Sequence, residues 1–114
     1  MLLNAFSINM LASFPASIDI REISPDEARL ALLCEAEAEG ESLILSAVGH
    51  ADTAAVLTSI LGVPVPCRRE TVVLQPGSVS IIAQYTGPRL PEGATTLPEG
   101  AAIRFFAVTV RGGE

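Results

Sequence analysis

The chain is poor in the residues that most often carry chemistry. It has no tryptophan, one tyrosine, one histidine and two cysteines in 114 residues, and its seven basic side chains are all arginine. Each scarcity excludes something. Cys34 and Cys67, with no CxxC spacing, form no disulfide framework. One histidine does not build the usual zinc site, so chemistry without a metal or a cofactor is expected. A net charge of −6 argues against binding of long nucleic acid, which calls for a basic stripe. It still permits a small anion held by a few local groups. Without lysine, a phosphate site must use arginine or backbone N–H groups, both suited to fixed geometry. No apolar run reaches the ~18–20 residues of a membrane span. The apolar opening "MLLNAFSINMLASF" has neither a positive n-region nor a small-residue cleavage site. It therefore reads as strand and helix rather than as a signal peptide, and a cytoplasmic protein without membrane contact is expected.

What is present is enough for a core. Half the residues, 49%, are apolar, and the length suits one small domain over 1–114. Residues 1–5 read as a short buried strand, and "SINMLASF" as a helix capped by Ser7 and ended by Pro15. "ASIDIREI" reads as a strand with one solvated face. "SPDEARLALLCEAEAEG" has the marks of a helix: Ser24 as cap, Pro25 first, acids in the first turn, Gly40 as stop. Its inner stripe is expected at Leu30, Leu33 and Cys34. "ESLILSAVGH" is extended or a strand. "ADTAAVLTSILG" is a second long helix, with Ala51 or Asp52 near its cap and Val56, Leu57, Ile60 and Leu61 facing inward. "RETVVLQPGSVSIIAQYTG" reads as a hairpin turning at "QPGS". A Pro- and Gly-rich loop holding "LPEG" twice leads to the closing strand "AIRFFAVTV". The fold class is α/β, a mixed sheet of about five strands with flanking helices.

The lone histidine, His50, stands immediately before the second long helix. Imidazole exchanges protons near neutral pH, and the free N–H groups of a helix N-terminus attract anions. The plainer alternative is a capping or solvent-exposed histidine. Arg89 lies in a stretch stiffened by Gly87, Pro88 and Pro91, which lowers the entropy cost of holding a phosphate. Glu92, three residues on, is an ion-pair partner or, in a phosphodiester site, a group that orients a hydroxyl. Asn4, Ser7 and Asn9 surround another strand-to-helix turn, where ordinary capping competes with ligand contact. Cys67 stands beside Arg68 and Arg69, but no local signature pairs it with His50. No Gly-rich phosphate loop, Walker motif or GxSxG is present.

Three strings then fall in order along the chain: "NAFSINM" at 4–10, "AVGHADT" at 47–53 and "RLPEG" at 89–93. Together they resemble the small ring nucleases first known as viral anti-CRISPR proteins of the type III class, which also have relatives in cellular genomes. The resemblance implies a homodimer that binds cyclic tetra-adenylate at its two-fold interface and cleaves it without metal. The products would be linear di-adenylates, and the consequence would be loss of the type III CRISPR second messenger. Carried over, His50 is the general acid and Glu92 stands near the reacting hydroxyl. Arg69 and Arg89 are ligand arginines, Asn4, Ser7 and Asn9 form a ligand-contacting turn, and Thr53 keeps its hydroxyl. Asp52 stands where relatives often have serine and sets a negative charge beside an expected phosphate. "YTGP" before Arg89 also departs from the viral pattern, which leaves both Gln84 and Tyr85 open as contacts. The alternative reading is a protein that binds the same nucleotide to sequester or sense it without cutting.

Overall fold

The computed structural model describes residues 1–112; the last two positions of the expected 1–114 domain, 113 and 114, lie outside the described residues. The elements are β1 (Leu2–Leu3), a single 3₁₀ turn (Ile8–Met10), β2 (Ala16–Ile23), α1 (Pro25–Ala38), α2 (Ala51–Leu61), β3 (Val79–Thr86) and β4 (Ala102–Gly112). They form one four-stranded sheet in the order β1-β3-β4-β2. β1 pairs parallel to β3, and the two other pairings are antiparallel. The α/β class and the mixed sheet are as expected, with four strands in place of about five.

Alternation sorts the strand residues onto two faces. Ile23, Ile81, Ala83 and Phe105 meet Ala28 and Leu32 of α1 and Ala54, Leu57 and Leu61 of α2 in the main core. Leu3, Ile82 and Val108 face the other way and are partly covered by Phe6, Met10 and Val72. Both helices therefore sit on one face. Among the described residues no helix is long and apolar enough to cross a membrane.

Three local expectations change. The helix over "SINMLASF" shrinks to one 3₁₀ turn. Ser7 caps it through the Asn9 N–H, but Leu11 then becomes extended and bridges Leu74. The Leu74 N–H donates to the Met10 carbonyl at 2.6 Å and the Ala12 N–H to the Leu74 carbonyl at 3.0 Å, so tertiary pairing takes the backbone that a short helix would need. The same pairing undoes the hairpin. The turn "QPGS" forms, with the Ser78 N–H on the Gln75 carbonyl at 3.0 Å and Gly77 at φ +90. β3, however, already has β1 on one side and β4 on the other, leaving no edge for residues 70–74.

The third change concerns α1. Its capping box is as read, with the Glu27 N–H donating to Ser24 Oγ and the Ser24 N–H to Glu27 Oε1, each at 3.1 Å. The buried stripe is Ala28, Leu32 and Ala36, not Leu30, Leu33 and Cys34. Leu30 stays 64% exposed, and Leu33 and Cys34 are also exposed. Ala28, Leu32 and Ala36 recur every four residues along one helix face, and the two alanines let the helix backbone approach the sheet closely. On α2 the expected inner residues hold, except that Ile60 is only half-buried and Ala54 joins the core. The cap is His50 itself rather than Ala51 or Asp52.

Candidate active-site cleft

The cleft is built where parallel segments end together. Residues 45–48 run beside β1: the Leu2 N–H donates to the Leu45 carbonyl at 2.8 Å and the Ala47 N–H to the Leu2 carbonyl at 3.0 Å. Ser46 bridges Leu2 in parallel, and β1 in turn pairs with Ile81 and Ile82 of β3. This extended stretch, β1 and β3 therefore point the same way, and their carboxyl ends form one rim. Crevices at such ends are common ligand sites in open α/β sheets.

His50 follows directly, in extended geometry (φ −122, ψ 128), as the cap of α2. Its side chain makes no capping bond, so the imidazole is not spent on its own helix. The first intrahelical bond is from the Ala54 N–H to the His50 carbonyl at 3.0 Å. The N–H groups of Ala51, Asp52 and Thr53 are left without intrahelical acceptors, and with the dipole they favour an anion there.

The opposite wall is the loop from Gly87 to Ala101. Its base needs glycine: Gly87 lies at φ +137, and a Cβ there would stand 2.7 Å from Ala101 Cα. Tyr85 donates its hydroxyl to the Pro88 carbonyl. The first "LPEG" then makes a tight turn, with the Ala94 N–H on the Pro91 carbonyl at 3.1 Å and Gly93 at φ +77, a positive value that a type II turn requires at that position. The loop is tied to α2 at two points. Asp52 Oδ1 accepts the Gly93 N–H at 3.1 Å, and the Ser59 hydroxyl donates to the Thr95 carbonyl.

Between these walls lies a cleft of about 670 Å³ lined by His50, Asp52, Thr53, Tyr85, Arg89, Leu90 and Glu92. Of the residues singled out in the sequence, His50, Thr53, Arg89 and Glu92 are brought together here, from positions as far apart as 50 and 92. Arg69 is a neighbour of the cleft rather than part of its lining. Val48 bridges Cys67 in parallel, and a side chain at Gly49 would meet Arg69 Cβ and Cγ at 3.6 Å, so Arg69 runs alongside the rim next to His50. Asn4 follows β1 onto the same end of the sheet but does not line the cleft, and neither do Ser7 or Asn9. Ser7's hydroxyl is occupied by the Asn9 N–H at 3.2 Å.

Sequence reasoning left two contributors open, and alternation along β3 separates them. Tyr85 shares the face of Ile81 and Ala83 and reaches the cleft, whereas Gln84 lies on the far face among Phe6, Ile20 and Phe106. Asp52, which looked like a liability beside a phosphate, holds the loop. The signal for it was present only in three dimensions, because its partner lies 41 residues away.

The architecture is thus a small mixed α/β domain with a polar cleft at the carboxyl ends of its parallel strands. The profile of the STIV B116-like family matches residues 1–104, and the chain belongs to that family. Among solved structures, it is similar to B116 of Sulfolobus turreted icosahedral virus (STIV), with a TM-score of 0.75 at 28% identity over 95% of this chain and 96% of that one. No curated relative matches the chain.

Proposed function

We propose that the protein is a metal-independent ring nuclease that, as a homodimer, binds cyclic tetra-adenylate and cuts it into linear di-adenylates, switching off type III CRISPR signalling. The observation that carries this reading is the convergence of His50, Thr53, Arg89 and Glu92 on one cleft at the open end of α2. A proton donor, a cation, a carboxylate and free N–H groups are what scission of an RNA diester needs. The ring brings its own nucleophile. The ribose 2′-oxygen attacks the adjacent phosphorus in line, forming the O2′–P bond as the P–O5′ bond breaks. Glu92 takes the 2′-hydroxyl proton, and His50 gives one to the departing 5′-oxygen. Arg89 and the α2 N-terminus offset the charge on the phosphoryl oxygens. The protein mainly holds the attack geometry.

Two-fold symmetry suits the substrate. A dimer presents two His50 side chains to a ring with matching symmetry, so opposite linkages are cut and equal halves result. Asn4 on the rim and Arg69 beside it extend the binding surface beyond one protomer's cleft. Incubation of labelled cyclic tetra-adenylate with the protein in EDTA tests the reading. Conversion to di-adenylate is expected. Tight binding without product indicates a sequestering or sensing protein instead, and neither binding nor product overturns both readings.

A further inference from the structure

Asp52 occupies the second position of α2, where the helix dipole favours a carboxylate. Its Oδ1 accepts the Gly93 N–H at 3.1 Å. Seven residues later, two turns along the same helix face, the Ser59 hydroxyl donates to the Thr95 carbonyl. One row of α2 thus grips the loop at two backbone groups two residues apart. Among the described residues, the other hydrogen bonds of 87–101 stay within the loop or reach Tyr85 at its base.

Glu92 is bonded directly to Gly93, and His50 precedes Asp52 by two residues. The grip therefore ties the loop's carboxylate and Arg89 to the helix end that carries the imidazole. We infer that Asp52 is a positioning residue: by holding the Gly93 amide it sets Glu92 and Arg89 opposite His50, with Ser59 as a second anchor. The inference rests on the nuclease reading of the cleft. The grip requires an oxygen acceptor and not a charge. The charge itself opposes an anionic ligand, so the two properties of Asp52 pull in opposite directions and can be separated.

Three variants separate them: Asp52→Ala, Asp52→Asn, which keeps the acceptor without the charge, and Ser59→Ala. Amide hydrogen exchange at Gly93 is measured on the free protein, and single-turnover cleavage and binding of cyclic tetra-adenylate are measured alongside. Asp52→Ala is expected to expose Gly93 to faster exchange and to cut about 10- to 100-fold more slowly, the scale of a small misplacement of reacting groups, with a smaller change in ring affinity, because the loosened Arg89 and the lost negative charge act in opposite directions. Asp52→Asn should recover most of the protection and the rate and should bind the ring more tightly than the wild type. Ser59→Ala should slow cutting by a smaller factor with affinity unchanged. Unchanged Gly93 exchange in Asp52→Ala, or equal losses in the Ala and Asn variants, overturns the inference. If the wild type cuts nothing, the nuclease reading fails, and Gly93 exchange alone still decides whether Asp52 holds the loop.

Discussion

The string "LPEG" occurs twice in this chain and folds the same way twice. At 90–93 the Ala94 N–H closes on the Pro91 carbonyl, and at 97–100 the Ala101 N–H closes on the Pro98 carbonyl, each at 3.1 Å, with Gly93 at φ +77 and Gly100 at φ +82. Yet the first copy puts Leu90 and Glu92 into the cleft, while the second packs its Gly100–Ala101 backbone against Gly87 and launches β4. Identical local chemistry thus gives one turn that faces the cleft and one that serves the sheet. The difference lies in what reaches each turn from elsewhere: Asp52 at the end of α2 for the first, the start of a strand for the second. Turn sequence sets shape, and tertiary partners set role.

The largest effect expected from breaking this comparison comes from the paired substitutions Glu92→Gln and Glu99→Gln. The first should slow scission of cyclic tetra-adenylate by about 10²-fold or more, the usual worth of acid–base catalysis, and the second should leave the rate unchanged within error. Rates are read from quenched, labelled product. Next, Arg89→Ala should weaken ring binding by about 10- to 100-fold, as expected for losing a charge-assisted bond to phosphate, measured as Kd at a concentration where cutting is slow. Gly87→Ala should lower the free energy of unfolding by about 1–3 kcal/mol, because both the positive φ and the 2.7 Å approach to Ala101 Cα resist a Cβ; denaturant titration reads it.

The smallest effect lies on the far face, away from both turns. Arg104 holds Glu22 with Nε–Oε2 at 3.0 Å and Nη2–Oε1 at 2.7 Å and lies 5.2 Å from the Phe106 ring centroid. The guanidinium's hydrogen bonds hold the Glu22 carboxyl below its ordinary range. A depressed carboxylate adds stability above its unfolded pKa and loses it as pH falls through the folded one. Glu22→Gln should therefore lower Tm slightly at neutral pH, and the difference should vanish in acid. Solvent exposure keeps it small.

Legibility followed the range of the interactions. The caps were readable because their partners lie within four residues: Ser24 with Glu27, and Gly62 with Thr58 at the end of α2. The closing strand, the proline-rich loop and the mixed α/β class were readable from pattern. The hairpin failed because β3 had a better partner on each side, and the first helix failed because Leu11 pairs with Leu74. The α1 stripe failed because leucine outranks alanine in a hydrophobicity count, whereas close approach to a sheet rewards the small side chain. In the cleft, the short strings around His50 and Arg89 located the two walls. They did not show that Asp52 joins them, and they could not choose between Tyr85 and Gln84, which strand alternation decides once the register is known.

The two helix-type turns tell the same story. Ser7 caps its own turn and has its oxygen occupied; His50 caps α2 by backbone position alone, and its ring is free of any capping bond among the described residues. That freedom is the core of the account, and one measurement addresses it most directly: single-turnover cleavage of cyclic tetra-adenylate in EDTA by wild type and by His50→Ala, with bound ring quantified in both. The account predicts di-adenylate from the wild type and a rate about 10²–10⁴-fold lower for the variant while the ring stays bound. Equal rates in the two proteins, or an intact ring with both, would contradict it.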